Sequence, residues 1–273
     1  ACAAHLARAG PGDFPALAAR LGDQELWLVH VLDAGLTKQL DSDEWAKVKA
    51  RAAQRLADEA HSLKERFSLP HAHSVVLVGA GSEALAEFAE LKHAVALVVA
   101  SQGHSASPLY RLGGTAERVA ATSRVPTLVV RDAAPFESWG RGERALRVVL
   151  GVDWSANSGS AVRLVRRLRA AGPCDVDVVH VYYRDEAVAQ YGVTPTVPWI
   201  EADPRIEELL ARDLATRVGE LGGAGAVTFQ PKQGIGRLGD HLLGVAELGQ
   251  AGVIVVGTHR LLQEDVKFRD LGL

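Results

Sequence analysis

Residues 27–31 read Trp-Leu-Val-His-Val, and residues 178–182 read Val-Val-His-Val-Tyr. Each stretch is a short continuous apolar run, which is typical of a buried β-strand. The two Val-His-Val triplets begin at Val29 and Val179, 150 positions apart. Two further strand-and-turn signatures recur in the same order, at residues 74–81 and 226–236, and at residues 95–103 and 253–259. We therefore interpret the chain as a duplication of one structural unit.

Helical patterns separate these strands. Asp41 or Ser42 can cap a helix that runs to about residue 67, because apolar residues recur from Trp45 onward at helical spacing. A second long helix is expected from Pro204 to about residue 221, and shorter helices are expected at residues 84–91, 114–121 and 241–248. Apolar strands that alternate with helices predict an α/β fold whose parallel sheets are covered on both faces.

The repeat predicts a first domain at residues 1–131, a linker at residues 132–144 and a second domain at residues 145–273. The linker is polar and contains proline and glycine, although Phe136 and Trp139 could pack it against a domain.

The two copies look incomplete in complementary ways. The second begins with an apolar strand at residues 146–152, whereas no opening strand is visible in the first. The first closes with a strand at residues 126–130, whereas none is visible at the end of the second. Lost segments or a rearranged sheet would explain both gaps. The absence of methionine, where average usage gives roughly five or six, favours lost segments.

Composition excludes several classes of protein. The 273 residues carry a net charge of −3, which argues against a general nucleic-acid binder. No run of 18 apolar residues occurs, so we expect no membrane-spanning helix. The two cysteines exclude a disulfide scaffold and a multi-cysteine metal site. With no apolar leader at the start, they favour the reducing cytoplasm.

Two glycine-rich turns match dinucleotide-binding fingerprints. Residues 234–239 fit G-x-G-x-x-G, and residues 79–84 fit the variant that ends in alanine. The strand after each turn should end in an acidic residue that binds ribose, but these strands end at Gln102 and His259 without a carboxylate. The repeat also assigns both turns to the third strand of its unit, not the first. Tight turns are the favoured interpretation, and a dinucleotide-dependent enzyme is the less favoured alternative.

Residues 100–103 read Ala-Ser-Gln-Gly, and after nine residues 113–119 read Gly-Gly-Thr-Ala-Glu-Arg-Val. This pattern resembles the universal stress protein family, whose members carry G-x-x-G, nine residues, then G-(S/T), near an Ala-Glu-Arg-Val segment. Residues 125–130 resemble the last strand of the family, and residues 152–155 resemble its first strand with its aspartate. Residues 253–259 resemble its fourth strand. The resemblance covers nearly the whole chain as two copies.

The resemblance implies two Rossmann-like, doubly wound domains, each with five parallel strands. Some family members bind ATP through the first-strand aspartate, the end of the second strand and the glycine motif, whereas others bind no nucleotide. This chain departs from the motif at Ala100 and Gly114 in the first copy, and at Arg260 in the second. The candidate ligand-binding residues that the resemblance implies are Asp153, Ser155, Val181, Gly257, Thr258, His259, Gly103, Gly113 and Gly114.

The expected protein is a cytoplasmic, tandem stress-response factor, arranged as an intramolecular pseudo-dimer or a homodimer. It would bind an adenine nucleotide, ATP with Mg²⁺, near Asp153 and Val181, with the phosphates over Gly257. Efficient turnover is not expected, because neither a catalytic base nor a Mg²⁺ ligand set is evident. The alternative is a stress factor that acts through protein contacts without nucleotide.

Several remaining side chains have simpler interpretations. His30 and His180 lie within apolar strands and are expected in the core. His71 and His73 have the spacing of two ligands on one strand face, but no third ligand lies nearby in sequence, so no metal site is predicted. Cys174 has no activating neighbour in sequence and is expected to be inert.

Overall fold

The structure is a computed structural model that describes residues 2–5, 25–35, 40–67, 69, 71–101 and 114–257. The chain divides into two compact units between Glu137 and Ser138.

The first unit is an α/β unit with a parallel sheet. Its strands are hydrogen-bonded in the order β3-β2-β1-β4-β5, and every pair is parallel. The elements are β1 (Cys2–His5), β2 (Leu26–Asp33), α1 (Ser42–Phe67), β3 (Ala72–Gly79), α2 (Gly81–Leu91), β4 (Ala96–Ala100), α3 (Gly114–Thr122) and β5 (Thr127–Val130).

Strand β1 corrects the expectation that the first copy has no opening strand. Cys2–His5 lies between β2 and β4, with Ala3 opposite Trp27 on one side and Leu97 on the other. The sequence pattern missed it because the strand has four residues, two of them alanine, and therefore no run of large apolar side chains.

Strands β2 and β3 and helix α1 form where the sequence predicts them. Leu28 and Val29 point to opposite faces of β2 and are both buried, so helices cover both faces of the sheet. Helix α1 begins after Asp41, whose Oδ1 accepts hydrogen bonds from the backbone N–H groups of Asp43 (2.9 Å) and Glu44 (2.8 Å). Within the described ranges, no helix combines the length and apolar character needed to cross a membrane.

The second unit is also an α/β unit with a parallel sheet, and its strand order is β8-β7-β6-β9. Four strands of this sheet are described, so a fifth strand in the second sheet remains a prediction. The closing strand would fall after residue 257, outside the described residues. The elements are β6 (Leu146–Gly151), α5 (Ala156–Ala171), β7 (Cys174–Tyr182), α6 (Arg184–Tyr191), α7 (Pro204–Val218), β8 (Val227–Gln233), α8 (Leu238–Leu248) and β9 (Val253–Val255).

Between β5 and β6, the segment predicted as a linker contains helix α4 (Ala134–Gly140). The Asp132 side chain accepts a hydrogen bond from the Ala134 N–H group at 3.0 Å and thereby starts the helix. Phe136 is buried, and Trp139 is completely buried. The expectation that these two aromatic residues pack against the protein is therefore confirmed, and of the predicted linker residues 134–140 are helical while residues 141–144 form an exposed turn.

A buried arginine organises the loop between α7 and β8. Arg169 is 5% exposed, and its guanidinium donates to the backbone carbonyls of Gly222 and Cys174, and to those of Gly223 (3.3 Å) and Gly225 (3.1 Å). A Cβ at Gly223 would lie 2.4 Å from the Arg169 carbonyl oxygen, and one at Gly225 would lie 2.2 Å from that of Cys174. Both positions also have positive φ, so the loop requires glycine there.

Candidate functional site

The strand order locates the crevice where an α/β unit of this kind binds ligands. In such sheets, ligands bind beyond the carboxyl ends of the strands, where the direction of strand addition reverses. In the second unit this point lies between β6 and β9, which are neighbours although they are the first and last described strands of the unit. In the first unit the same point lies between β1 and β4. Residues 102–113, which follow β4 and Ser101, are outside the described residues.

Asp153 follows β6 and organises the turn into α5. Its Oδ1 accepts hydrogen bonds from the Ser155 N–H (3.0 Å), the Ser155 hydroxyl (2.6 Å) and the Ser158 hydroxyl. The Asp153 N–H donates to Ser158 Oγ at 2.9 Å, and Ser155 Oγ accepts from the Ser158 N–H at 3.2 Å. Asp153 and Ser155 therefore both help to fix the helix N-terminus, where unpaired N–H groups favour a negative charge.

Gly257 brings the end of β9 against this same turn. A Cβ at Gly257 would lie 2.6 Å from the carbonyl carbon of Asn157 and 2.8 Å from the nitrogen of Ser158. Those atoms are backbone, so no side chain fits there without displacement of α5. The structure thus brings together three of the predicted residues: Asp153, Ser155 and Gly257.

Val181 lies one strand away from these three residues. The β6–β7 register pairs Gly151 with Val179, and its continuation places Val181 level with Asp153. The Val181 side chain packs in an apolar cluster with Val149 and Val179 on the α8 face of the sheet. Val181 is therefore near the crevice by strand position, while its side chain contributes to the core.

Trp154 and Arg217 are residues near the crevice that the sequence analysis missed. The Trp154 ring lies 4.4 Å from the His180 ring, and the Arg217 Cζ lies 4.6 Å from the centre of the Trp154 ring. The only signal in the sequence was a large aromatic residue beside Asp153. The contact with His180 depends on strand register and the contact with Arg217 on helix packing, and neither is visible in sequence.

His180 is a core histidine, as expected. It is 8% exposed, and its Nδ1 lies 2.8 Å from the Val152 carbonyl oxygen. A carbonyl can only accept, so this geometry assigns the proton to Nδ1. Burial lowers the pKa of His180 below its ordinary value, which favours the neutral ring.

The other predicted ligand-binding residues divide into two groups. Gly103, Gly113, Thr258 and His259 lie outside the described residues. Gly114 begins helix α3 in the first unit, and a Cβ there would meet no described atom within 4 Å. Gly114 and Asp153 therefore belong to different units.

Neither glycine fingerprint lies at a ligand crevice. The turn at residues 79–81 follows β3, the turn at residues 234–236 follows β8, and both are edge strands. A dinucleotide fingerprint instead follows the strand at the switch point. Both turns lead directly into a helix, α2 and α8, as expected for tight strand-to-helix turns.

Residues 6–131, which lie within the first compact unit, match the model of the universal stress protein family. Among curated proteins, none matches the sequence.

Solved structures extend the likeness beyond residues 6–131, in fold alone. A universal stress protein from Archaeoglobus fulgidus DSM 4304 has a TM-score of 0.64 at 17% identity, over 93% of this chain and 86% of that one. A protein of unknown function from Pseudomonas aeruginosa PAO1 has a TM-score of 0.59 at 12% identity, over 93% and 80%. At these identities the likeness concerns the fold alone.

No group of three or more His, Cys, Asp or Glu side chains in the described ranges could hold a metal ion. The His73 ring stacks on Trp27 with ring centres 4.6 Å apart, so this histidine packs against the neighbouring strand β2. Burial raises the pKa of the Cys174 thiol to about 11, which agrees with an inert cysteine.

Proposed function

We propose that this chain is a tandem universal stress protein that binds an adenine nucleotide in its second unit, with slow turnover or none. The observation that carries the proposal is the meeting of Asp153, the first turn of α5 and Gly257 at the β6–β9 switch point. We propose ATP with Mg²⁺ as the ligand and the cytoplasm as the compartment. The likeness in fold over nearly the whole chain supports the tandem arrangement.

The residues of the crevice have the chemistry that such a ligand needs. The Asp153 carboxylate can accept hydrogen bonds from ribose hydroxyls or from the amino group of adenine. The N-terminus of α5 favours phosphate through its N–H groups and its dipole. Gly257 keeps the end of β9 close to that N-terminus. Thr258 and His259, which follow, remain proposed ligand contacts.

The surroundings of His180 support slow turnover. Hydrolysis of ATP requires a group that positions or activates water. The His180 side chain donates its Nδ1–H to the Val152 carbonyl, is only 8% exposed and packs against the Trp154 ring, which leaves little of the imidazole open to water. Because the described side chains form no metal-binding cluster, Mg²⁺ would arrive already bound to the phosphates.

The test is titration of the whole protein with MgATP by calorimetry, with Asp153→Asn as the main variant. Asparagine keeps a carbonyl oxygen that can accept from Ser155 and Ser158, but it removes the charge. We expect the dissociation constant to rise about tenfold. Asp185→Asn is the matched control, because it removes the same charge from an exposed position in the first turn of α6, and should change affinity less than about twofold.

Gly257 is a poor choice for this test. Any side chain there would collide with the backbone of Asn157, so binding and folding would be lost together. A wild-type protein that binds no MgATP at about 1 mM would overturn the proposal.

The alternative is a factor that self-associates and acts without nucleotide. The observation in its favour is a group of exposed apolar residues in the second unit, which includes Trp199 (63% exposed) and Ile200 (70%). The Trp199 carbonyl accepts from Gln233 at 2.8 Å, so this group lies beside the end of β8. Sedimentation should show a homodimer that Trp199→Ser weakens, whereas Leu248→Ser, at an exposed position away from this group, should not. A monomeric wild type would exclude this alternative.

A further inference from the structure

The backbone of Trp154 has an unusual conformation at the crevice. Among the described residues, three non-glycine residues have a positive φ: His93 (48°), Trp154 (65°) and Gln250 (50°). His93 and Gln250 follow the ends of α2 and α8, where a left-handed residue is a common way to end a helix. Trp154 instead lies between β6 and α5, and a bulky residue in this region of φ is strained. Such strain persists only where the surroundings enforce it, and it concentrates at functional sites.

Two elements outside the turn hold the Trp154 ring in place. His180 on β7 contacts it at 4.4 Å, and Arg217 on α7 lies over it at 4.6 Å. The two partners are held to different degrees. His180 is buried and binds the Val152 carbonyl at 2.8 Å, whereas the Arg217 side chain is 52% exposed and lies 3.6 Å from the carboxylate of Asp213. The contact with His180 is therefore set by a core strand, and Arg217 adds a weaker contact from α7.

The conformation of Trp154 determines whether Asp153 and Ser155 can meet. The left-handed turn at Trp154 reverses the chain, so that the N–H and hydroxyl of Ser155 reach Asp153 Oδ1 two residues back. The same turn directs α5 toward the end of β9, where Asn157 lies against Gly257. Both features of the proposed nucleotide site thus depend on one strained residue.

We infer that Trp154 is a positioning residue for the ligand site between β6 and β9. Its ring contact with His180, together with Arg217 over the ring, holds the turn at residues 153–158 in the form that binds the ligand. The inference rests on the proposed function for the identity of the ligand, but the ordering of the turn can be tested without it.

The experiment compares two substitutions at Trp154 in the full chain. Glycine adopts φ of 65° without strain, so Trp154→Gly permits the turn while removing the ring contacts with His180 and Arg217. Trp154→Phe keeps an aromatic ring against His180 and Arg217. Amide hydrogen exchange of residues 153–159 is measured without ligand, and MgATP affinity is measured by calorimetry. Trp199→Ala is the control, because it removes an exposed tryptophan of the same unit.

We expect exchange at residues 153–159 to accelerate about tenfold in Trp154→Gly, with a similar loss of MgATP affinity. Trp154→Phe should restore both within about threefold, and Trp199→Ala should change neither. Arg217→Gln, which keeps the ring and removes the cation, should accelerate exchange at this turn by a smaller factor. Unchanged exchange in Trp154→Gly, or a phenylalanine variant as defective as the glycine variant, would overturn the inference.

Failure of the proposed function gives a different result. If the wild type binds no MgATP, the nucleotide proposal is wrong, and the exchange data alone decide the role of Trp154. Faster exchange that phenylalanine restores then supports positioning of the turn. If the wild type binds MgATP and Trp154→Gly binds within twofold of it, the positioning role is wrong while the nucleotide proposal stands.

Discussion

Replacement of Arg169 by methionine should lower the free energy of unfolding of the second unit by about 3–5 kcal/mol. Methionine fills much of the same volume but donates no hydrogen bond. It therefore leaves four backbone carbonyls without their donor, those of Cys174, Gly222, Gly223 and Gly225.

The magnitude follows from where those carbonyls lie. Cys174 is fully buried, so the loss of its charged donor should cost about 1–3 kcal/mol. The three glycines are in an exposed loop, and water can replace the guanidinium there, so each lost bond should cost about 0.5–1 kcal/mol. Arg169→Lys should fall between methionine and wild type, because one ammonium group cannot reach every carbonyl that the planar guanidinium reaches.

Urea unfolding should be followed by hydrogen exchange in β7, residues 174–182, because unfolding of two units need not be a single two-state transition. Arg167→Met is the matched control, since Arg167 is exposed on the same helix. A loss below about 1 kcal/mol for Arg169→Met, or a loss equal to that of the control, would refute the role of the buried guanidinium.

Three further predictions concern single side chains. In a Cys2→Ser background, the Cys174 thiol should react with a disulfide reagent at pH 8 only as the protein unfolds, because its pKa of about 11 leaves roughly one part in a thousand as thiolate. Burial lowers the pKa of His180 from about 6.5, so the unfolded chain binds its proton more tightly. The free energy of unfolding should therefore fall as pH decreases below about 6.5, and His180→Asn should remove part of that slope in urea titrations at pH 7.5 and 5.5. Asp41→Ala should cost about 1 kcal/mol in urea unfolding, because α1 loses two N-terminal hydrogen bonds.

Each of these predictions has a contradicting result. Stoichiometric reaction of folded Cys174 within seconds at pH 8 would contradict the buried thiol. Equal pH slopes for wild type and His180→Asn would show that the buried imidazole does not contribute to the slope. An Asp41→Ala variant as stable as wild type would show that the helix N-terminus is stabilised by other contacts.

The sequence predicted the elements that have strong local signals. The strands around Leu28 and Val149 are continuous apolar runs, and the structure has β2 and β6 there. Asp41 marked the start of α1, because a short acidic side chain before an apolar stripe is a direct capping signal. Strand β1 was missed because its four residues, Cys-Ala-Ala-His, carry no such pattern.

Only those residues of the candidate site that belong to a recognisable motif could be predicted from the sequence. Asp153, Ser155 and Gly257 were identified through a family resemblance, and the structure brings them together. The resemblance assigned Gly257 to phosphate binding, which stays a prediction, and the structure adds that a side chain there would meet the Asn157 backbone. The contact between Trp154 and His180 could not be foreseen, because it joins the turn after β6 to β7 through the register of those strands.

Helix α4 makes the division between the two compact units a poor place to cut the gene. The helix runs across that division, and Phe136 and Trp139, one on each side of it, are buried. A fragment that ends at residue 137 would keep only part of the helix and one of its two buried aromatic side chains. Residues 141–144, which follow the helix, are all exposed, so a fragment of the first unit should extend to this turn if the helix is to form.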